Sequence, residues 1–324
     1  MIALKTVLTG VKSVAIIGHI RPDGDCVGSC MGTYLYIKEQ YPEIEVKVYL
    51  EEFSESFYFI EDTDKVSHTC AEAKVYDLCI ALDSGDKERL GEAVKYLDTA
   101  KHSVCIDHHI SNSGYADENH IEADASSTCE LVYRMLESNK ISKVIAEALY
   151  MGIVHDTGVF QYSCTSAETM RIAGVLMEKG IHYSKIVEET FFSKTYLQNQ
   201  ILGRALLESI MMLEGKCIIS VVNKREMEFY GVTHMDLDGI VSQLRNTKGV
   251  EAAVFMYETD NQEYKVSLRS AGVVNVSEIA SYFGGGGHIR AAGCKLQGTE
   301  HDVINNVVKL IKAQLEIAGE LQGE

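Results

Sequence analysis

Histidine and aspartate residues are concentrated in four short segments of the N-terminal half of the chain. In the first, His19-Ile-Arg-Pro-Asp23-Gly-Asp25, one imidazole and two carboxylates share a turn made sharp by proline and glycine. Imidazole and carboxylate together form the ligand sets of Mn²⁺, Zn²⁺ and Fe²⁺ sites, and a majority of carboxylates favours the harder ions. The structural alternative is that Asp23 and Asp25 are turn residues, with Asp25 capping the next helix.

The second segment is Asp83-Ser-Gly-Asp86, at the end of an apolar run. Helix capping accounts for Ser84 and Asp86. It does not account for Asp83, because a carboxylate at the end of a buried strand is costly unless a partner compensates its charge. Asp83 is therefore a candidate metal ligand.

The third segment, Asp107-His108-His109, also follows an apolar run. Adjacent side chains of an extended segment point to opposite sides, so at most one of the two histidines can face a given metal directly. The other is then available to a substrate. The structural alternative is that these polar residues merely meet solvent at the end of a strand.

The fourth segment is His155-Asp156-Thr157-Gly158, after the apolar stretch Ala146–Val154. An ordinary loop that turns at Gly158 is the alternative interpretation. Taken together, the four segments contain enough carboxylate and imidazole groups for two metal ions that share one bridging aspartate. Such a pair of ions, roughly 3.5–4 Å apart, polarises a phosphate and generates hydroxide.

A fifth feature lies near the C-terminus, where Phe283 is followed by four glycines and then by His288-Ile-Arg290. Consecutive glycines expose backbone N–H groups with no Cβ in the way, which suits phosphate oxygens. The spacing is not that of a P-loop, and no Lys-Ser/Thr follows, so nucleoside triphosphate binding is not indicated. A flexible loop is the alternative, but the following histidine and arginine favour an anion site. Arg269 could add a bidentate phosphate contact.

Three strand-like segments end at the N-terminal clusters. They are Ser13–His19, Tyr76–Asp83 and Ser103–His109, and each is a near-continuous apolar run. Such runs are typical of strands covered on both faces, hence of a parallel sheet. Helical patterns between them, Gly28–Glu39 and Glu88–Leu97, predict an open α/β sheet flanked by helices. Ligands bind beyond the carboxyl ends of the strands in such sheets, so the clusters should meet at one edge.

The remainder of the chain predicts a mostly helical stretch and then a second, smaller α/β unit. The predicted helices of the first part are Ser127–Leu136, Val144–Val154, Glu168–Lys179 and Gln198–Met211. The second unit should contain strands near Cys217–Asn223, Ala252–Tyr257 and Tyr264–Ser270, and helices near Asp238–Asn246, Asn275–Phe283 and Asp302–Ala318. We therefore predict a metal-binding domain over residues 1–192, a helical linker over 193–210 and a substrate-binding domain over 211–324. The boundary should fall within Phe192–Gly203.

Composition and charge narrow the class of protein. At 324 residues, with 46% hydrophobic and 24% charged residues, the chain is typical of a globular protein of two domains. Its net charge of −17 argues against binding of long nucleic acid, which needs a basic surface. No apolar run approaches the ~18 residues of a membrane-spanning helix, and no signal peptide is recognised. The nine cysteines form no C-x-x-C pair and are typical of a reducing compartment, so we expect a cytoplasmic protein.

In this order along the chain, the five clusters resemble the DHH phosphoesterase family, specifically its branch with the DHH-associated C-terminal domain. The resemblance spans nearly the whole chain. Within that branch, the length is similar to that of the bacterial oligoribonucleases called nano-RNases, which also hydrolyse 3′-phosphoadenosine 5′-phosphate. The residues that match the family motifs are His19-x3-Asp23-x-Asp25, Asp83, Asp107-His108-His109, Asp156 and Gly284-Gly-Gly-Gly-His288.

The resemblance implies roles for these positions. His19 and Asp23 would hold one divalent ion, most simply Mn²⁺, and Asp25, His108 and Asp156 would hold a second, with Asp83 bridging both. His109 would face the scissile phosphate, where it could stabilise charge or protonate the leaving oxygen, and Asp107 would orient the histidines. The substrate's other phosphate or terminal nucleotide would be held by Arg269, Gly284, Gly285, Gly286, Gly287 and His288.

The resemblance also implies an enzyme that hydrolyses short oligoribonucleotides, dinucleotides above all, to mononucleotides, and 3′-phosphoadenosine 5′-phosphate to AMP. Its partners would be small nucleotides rather than long duplexes or membranes, and a homodimer is left open. Three alternatives remain: hydrolysis of the linear products of cyclic dinucleotides, a manganese inorganic pyrophosphatase, and a non-catalytic nucleotide sensor. Paired basic residues in place of the Gly-Gly-Gly-Gly-His motif would favour the pyrophosphatase, and loss of a bridging ligand would favour the sensor.

Overall fold

The structure, a computed structural model, describes residues 2–320 of the chain. These residues divide into two compact units, with the boundary between Ser193 and Lys194. The assignment of functional domains to residues 1–192, 193–210 and 211–324 stays a prediction. Among the described residues, no helix combines the length and the apolar character that crossing a bilayer requires.

The first unit is built on a five-stranded sheet in which every pair of neighbouring strands is parallel. The strands, in chain order, are β1 (Ser13–Ile17), β2 (Glu45–Tyr49), β3 (Leu78–Leu82), β4 (Ser103–Asp107) and β5 (Glu118–Ile121). Their order across the sheet is β2-β1-β3-β4-β5. This confirms the predicted parallel α/β sheet. The direction of winding reverses between β1 and β3, and in such sheets the ligand site lies at that reversal, beyond the carboxyl ends of the strands.

The central strands β1, β3 and β4 were predictable because nearly all of their residues are buried, and two-sided burial demands continuous apolar runs. Strands β2 and β5 were not predicted from the sequence. Both lie at the edges of the sheet, where solvent reaches one side and polar residues such as Glu45 and Glu118 are tolerated. An edge strand with mixed polarity has no distinctive apolar pattern.

Helices cover both faces of this sheet. They are α1 (Leu4–Val7), α2 (Gly24–Gln40), α3 (Val94–Thr99), α4 (Thr128–Met135), α5 (Lys143–Asp156), α6 (Ala167–Glu178) and α7 (Tyr183–Val187). Helix α2 begins four residues earlier than predicted, because the carboxylate of Asp23 accepts hydrogen bonds from the N–H groups of Asp25 and Cys26 and caps the helix there. The predicted helix at Glu88–Leu97 starts instead as a 3₁₀ segment that is interrupted at Gly91, with φ of 55°.

Helices α2 and α5 pack closely together, and glycines make this approach possible. A Cβ atom on Gly28 would lie 2.6 Å from the carbonyl oxygen of Ala148, and one on Gly152 would lie 2.2 Å from Cys129 Sγ and 2.9 Å from Asp25 Oδ1. The two helices therefore meet backbone to backbone. This contact brings Asp25, in the first turn of α2, and Asp156, the last residue of α5, to the same end of the helix pair.

The second unit contains a six-stranded mixed sheet with helices on both faces. It comprises α8 (Tyr196–Leu207), β6 (Ile210–Met212), β7 (Cys217–Val222), α9 (Lys224–Tyr230), α10 (Ile240–Arg245), β8 (Ala252–Asp260), β9 (Glu263–Ser270), α11 (Val276–Tyr282), β10 (Gly286–His288), β11 (Ala291–Gln297) and α12 (Glu300–Ile317). The strand order is β10-β11-β9-β8-β7-β6. The predicted second α/β unit is confirmed, and a helix, α8, lies in the predicted linker.

One local prediction in this unit was wrong, and one alternative interpretation holds only in part. The helix predicted at Gln198–Met211 ends at Leu207, and Ile210–Met212 forms an edge strand instead. The glycine run is not simply a loop, because Gly286–His288 pairs with β11. A Cβ on Gly285 would lie 2.2 Å from the carbonyl oxygen of Gly293, so part of the glycine run is needed for close packing of the backbone.

Candidate metal centre

The predicted ligands lie at the carboxyl edge of the first sheet. His19 comes two residues after the end of β1, and Asp83 directly follows β3. Asp107 is the last residue of β4, with His108 and His109 after it. Parallel strands end at the same edge, so residues far apart in the chain become neighbours there.

Asp23 and Asp25 begin helix α2 and behave differently. Oδ1 of Asp23 caps the helix, at 3.1 Å from the N–H groups of Asp25 and Cys26, while its Oδ2 lies 3.6 Å from His19 Nε2. The capping residue is thus Asp23 and not Asp25, to which the structural alternative assigned the cap, and the second oxygen of Asp23 remains directed toward the site. Asp25 is fully buried. Its two oxygens accept the backbone N–H groups of Thr128 and Cys129, at 2.6 and 2.9 Å.

Asp83 occupies the centre of the cluster. Its Oδ2 lies 3.6 Å from His19 Nε2, and its Oδ1 lies 3.6 Å from His108 Nε2. Each oxygen thus faces a different histidine, as a carboxylate that bridges two ions must do. The backbone of Asp83 is in the left-handed region, with φ of 58°, which aspartate tolerates better than most residues do. The N–H of Asp83 donates to the carbonyl oxygen of Ile106.

His108 turns toward the aspartates of both helices. Its Nδ1 lies 3.3 Å from the carbonyl oxygen of Ala125, and its Nε2 lies 2.9 Å from Asp156 Oδ2 and 3.9 Å from Asp25 Oδ2. Donation from Nδ1 to the carbonyl would leave Nε2 in the state in which imidazole binds a metal. His19 is arranged in the same way, with Nδ1 at 2.9 Å from the carbonyl oxygen of Ile20.

His109 points its Nδ1 at Asp107 rather than at Asp25 of α2 or Asp156 of α5. The distance from His109 Nδ1 to Asp107 Oδ1 is 2.7 Å, and the same oxygen accepts the backbone N–H of His108 at 2.9 Å. The two histidine rings are inclined at 64°. As expected for adjacent residues, the two side chains meet different partners.

The donor set fits divalent cations. Three overlapping groups of ligand atoms, each with all members within 4.8 Å of one another, have Asp83 in common: His19, Cys26 and Asp83; Asp25, Asp83 and His108; and Asp83, Asp107 and His109. The ion-pair partners of Asp83 are His19, His108 and His109, and imidazole is a side chain that binds divalent metals. Several carboxylates brought together at low solvent exposure repel one another unless cations or protons compensate them.

The directions in which the pKa values of Asp25, Asp83 and His108 are shifted indicate where protons compensate the carboxylate charges. Burial raises the pKa of Asp25 well above its ordinary value, and the negative charges of Asp83 and Asp156 raise it further. Burial also acts to raise the pKa of Asp83, but the hydrogen bond from His19 and the neighbouring imidazoles outweigh it and hold that pKa low. Burial acts to lower the pKa of His108, but the hydrogen bond to Asp156 outweighs it and raises the pKa. Cations bound at this site would displace the protons on Asp25 and His108.

Two residues at this site were not predicted from the sequence. Thr128 is fully buried, and its hydroxyl donates to Asp83 Oδ1 at 3.0 Å while its N–H donates to Asp25. Thr128 is the first residue of α4, directly after the capping residue Ser127, and nothing in the local sequence indicated its contact with Asp83. Cys26 places its thiol beside His19 and Asp83. It was interpreted as a core residue, and it is indeed fully buried.

Three of the residues predicted to bind substrate, Arg269, Gly286 and His288, share one face of the second sheet. Gly287 belongs to the opposite face, and Gly284 and Gly285 precede the strand. Arg269 of β9 is paired with Ala291 of β11, and Ala291 is in turn paired with His288 of β10. Directly paired residues share a face of the sheet, so Arg269 and His288 flank a small side chain, two strand spacings or roughly 10 Å apart. Gly286 is opposite Gly293 on this face, and a Cβ on Gly286 would meet nothing within 4 Å.

Comparisons with known proteins identify both units. The family model described as the DHH family, N-terminal domain, matches residues 13–153, and the DHHA1 domain matches residues 214–316. The chain is 31% identical over 285 residues to the bifunctional oligoribonuclease and PAP phosphatase NrnA of Bacillus subtilis, covering 86% of this chain and 87% of that protein. The chain belongs to the DHH family. The resemblance stated from its motifs is confirmed.

Two further comparisons extend over the whole length of this DHH-family chain. The protein of the same name from Thermus thermophilus is 26% identical and aligns with 95% of the chain, over 92% of its own length. The crystal structure of an exopolyphosphatase-related protein from Bacteroides fragilis has a TM-score of 0.86 and 25% identity, covering 97% of this chain and 94% of that one. The prediction of an enzyme is confirmed at the level of the family: the chain is a metal-dependent phosphoesterase.

Proposed function

We propose that this protein hydrolyses dinucleotides and other very short oligoribonucleotides to mononucleotides, and 3′-phosphoadenosine 5′-phosphate to AMP, with two divalent ions, Mn²⁺ by preference. The observation that supports the proposal most directly is Asp83, whose two oxygens face different histidines. The printed names of the relatives from Bacillus subtilis and Thermus thermophilus support the choice of substrates.

In this proposal the ligands divide into two sets that share Asp83. His19 and Asp23 hold one ion, and Asp25, His108 and Asp156 hold the other. When bound, two such ions neutralise the charge of the phosphate and supply a nucleophile at neutral pH. The chain's own contribution is to hold the carboxylates at fixed positions relative to one another. Helices α2, α4 and α5 each supply a residue that binds the two ions or lies beside them. Thr128 donates hydrogen bonds to both Asp25 and Asp83.

His109 is the proposed proton donor. Its Nδ1 is hydrogen-bonded to Asp107, and the imidazole ring presents its other nitrogen, Nε2, in the opposite direction. In the proposed step a water oxygen forms a new bond to phosphorus, the P–O bond to the leaving oxygen breaks, and the proton on Nε2 passes to that oxygen. The proton that the water loses returns His109 to its protonated state. Asp107 stabilises the ring in the required orientation, as a carboxylate does for a catalytic histidine elsewhere.

The second unit is proposed to hold the rest of the substrate. Arg269 and His288 flank Ala291 on one face of the sheet, a spacing suited to a terminal phosphate or nucleotide. Gly286 would allow close approach, since its Cβ position is open. We also place the enzyme in the cytoplasm, where its nine cysteines, all free thiols, would stay reduced.

A panel of small substrates with Mn²⁺ present tests the proposal. A 5′-phosphorylated dinucleotide and 3′-phosphoadenosine 5′-phosphate should be hydrolysed, and excess EDTA should abolish turnover. Faster hydrolysis of inorganic pyrophosphate would favour the pyrophosphatase alternative instead. Binding of nucleotides without any turnover would favour a sensor, and undiminished activity after dialysis against EDTA would contradict a metal mechanism.

A further inference from the structure

One buried amide next to the candidate metal centre has no part in the function described so far. Asn112 lies in the turn after His109, and it is 8% exposed. Its Nδ2 donates to Asp107 Oδ2 at 2.7 Å and to the carbonyl oxygen of Ser84 at 3.0 Å. Its Oδ1 accepts the N–H of Gly114 at 2.8 Å. An amide nitrogen has two hydrogens, and both are directed to strong acceptors.

This pattern determines the orientation of the amide. If Oδ1 and Nδ2 were exchanged, an oxygen would face the Asp107 carboxylate and the Ser84 carbonyl, and an N–H would face the N–H of Gly114. Only the observed orientation satisfies all three contacts. Asn112 is therefore a rigid donor, and a buried hydrogen bond to a charged group is among the stronger ones.

The contact with Asp107 continues directly to His109. Oδ2 of Asp107 accepts from Asn112, while its Oδ1 accepts from the backbone N–H of His108 and lies 2.7 Å from His109 Nδ1. The carboxylate is thus held at both oxygens, and the plane in which it meets the imidazole is determined. Asn112, Asp107 and His109 form a continuous chain of hydrogen bonds from the loop to the ring.

We propose that Asn112 is a positioning residue for the reaction, acting on His109 through Asp107. The proposal depends on the function proposed above, in which His109 protonates the leaving oxygen. Proton transfer requires a donor within hydrogen-bond distance of that oxygen. Removing the support from one oxygen of Asp107 would let the carboxylate, and the ring with it, rotate away from that position.

The contact of Asn112 with Ser84 suggests a different role, the support of Asp83, and a separate variant tests that role. The carbonyl oxygen of Ser84, next to Asp83, accepts from Asn112 but also from the hydroxyl of Tyr115, at 3.0 Å. Loss of Asn112 therefore leaves the Ser84 carbonyl with a partner, whereas Tyr115→Phe removes a bond to Ser84 without touching Asp107. The two variants distinguish support of His109 from support of Asp83.

The test compares two esters with different leaving groups. Asn112→Ala and the isosteric Asn112→Asp, which replaces the donor by an acceptor, should lower kcat on a dinucleotide by roughly 10- to 100-fold, as is usual for residues that orient a functional ligand. KM should change little. On bis-p-nitrophenyl phosphate, whose leaving group departs without a proton, the loss should be much smaller. The Mn²⁺ concentration that half-maximally raises Tm should be unchanged.

Two matched variants serve as controls. Asn119 lies in strand β5, which follows the same loop, and its side chain accepts the N–H groups of the loop residues Tyr115 and Ala116 without a hydrogen bond to Asp107 or Ser84. Asn119→Ala should keep wild-type kcat on both esters. Any change in kcat that Tyr115→Phe causes should be equal on the two esters. Asn112→Ala introduces no new charge or bulk, so it remains informative if Asn112→Asp does not fold.

The outcomes separate this inference from the function on which it depends. If the wild-type enzyme does not cleave dinucleotides, the proposed function fails. If the wild type is active but the Asn112 variants lose both esters equally, or lose Mn²⁺ affinity, or match Asn119→Ala, then Asn112 is structural and only the positioning role is wrong.

Discussion

At the scale of the residue, the decisive feature is the position of Asp83. It is 2% exposed, its backbone is left-handed, and its oxygens face two histidines. Strained backbone conformations of this kind persist where the surrounding structure holds them, and they are frequent at functional sites. Thr128 and the histidines supply the compensating contacts.

Replacing Asp83 should remove both activity and metal binding. Asp83→Asn preserves the shape and tolerates the left-handed backbone, but it replaces one of the two bridging oxygens by an amide nitrogen that cannot bind a metal. We expect kcat to fall by several orders of magnitude, and the rise in Tm on addition of Mn²⁺ to disappear. Asp86 is an exposed residue of the same turn, and its carboxylate accepts the backbone N–H of Arg89. The control variant Asp86→Asn should behave as wild type. A residual rate above roughly a tenth of the wild-type rate would show that Asp83 is not the bridge.

The affinity for Mn²⁺ should increase with pH. The pKa values of Asp25 and His108 are raised in the metal-free site, so both groups hold protons that bound ions must displace. As the pH falls, these protons compete more strongly and the affinity declines. Calorimetric titration in buffers of different ionisation enthalpy measures the protons released. Binding without proton release would contradict this description of the site.

At the scale of the element, the site depends on how closely α2 approaches α5. Asp25 is in the first turn of α2, and Asp156 ends α5, so the distance between the helices sets the distance between two ligands. The approach is possible because Gly28 and Gly152 have no side chains at the contact. Close-packed interiors transmit such displacements rather than absorb them.

A methyl group at this contact should therefore damage both stability and metal binding. Gly28→Ala places a Cβ 2.6 Å from the Ala148 carbonyl oxygen, and overpacking of this kind costs about 1–3 kcal/mol. Urea denaturation measures the free energy of unfolding, and Mn²⁺ titration measures the affinity. Gly174→Ala is the matched control, because Gly174 is an exposed glycine of α6 with no atom within 4 Å of its Cβ position. That change should stabilise the protein by about 0.5–1 kcal/mol, and equal effects of the two variants would contradict the argument.

At the scale of the whole molecule, the charge of −17 and the division into two units bear on substrate length. Long nucleic acid binds chiefly through its phosphates to basic surface, and an acidic protein repels it. The metal ligands belong to the first unit, and Arg269 and His288 belong to the second. We expect short substrates that can use both sets of residues to be favoured over long strands.

Dinucleotides should accordingly be cleaved with much higher kcat/KM than strands of about ten or more nucleotides.

Arg269→Ala should lower kcat/KM on dinucleotides by roughly 10- to 100-fold, since a hydrogen bond to a charged group contributes about 1.5–3 kcal/mol. It should hardly change hydrolysis of a generic phosphodiester without a second phosphate. Arg225→Ala, an exposed arginine of α9, should have no effect on either. Equal losses of Arg269→Ala on both substrates would show that the second unit does not select for length.

The sequence by itself determined the class of fold, the three central strands and the identity of the candidate ligands. Buried parallel strands require apolar runs, and metal ligands require carboxylate and imidazole groups. Both features can therefore be recognised in a single amino-acid sequence. It did not reveal the edge strands β2 and β5, because half-exposed segments have no distinctive pattern, nor the pairing of the glycine run with β11.

Only the tertiary structure decided which atoms meet. The hydroxyl of Thr128 reaches Asp83 across 45 positions of the chain, its N–H reaches Asp25 across 103, and Asn112 reaches Ser84 across 28. Local sequence limits the conformation of neighbouring residues, but such contacts depend on strand order and on the approach of α2 to α5. The division of Asp83 between two histidines, and the support of Asp107 by Asn112, follow from that packing.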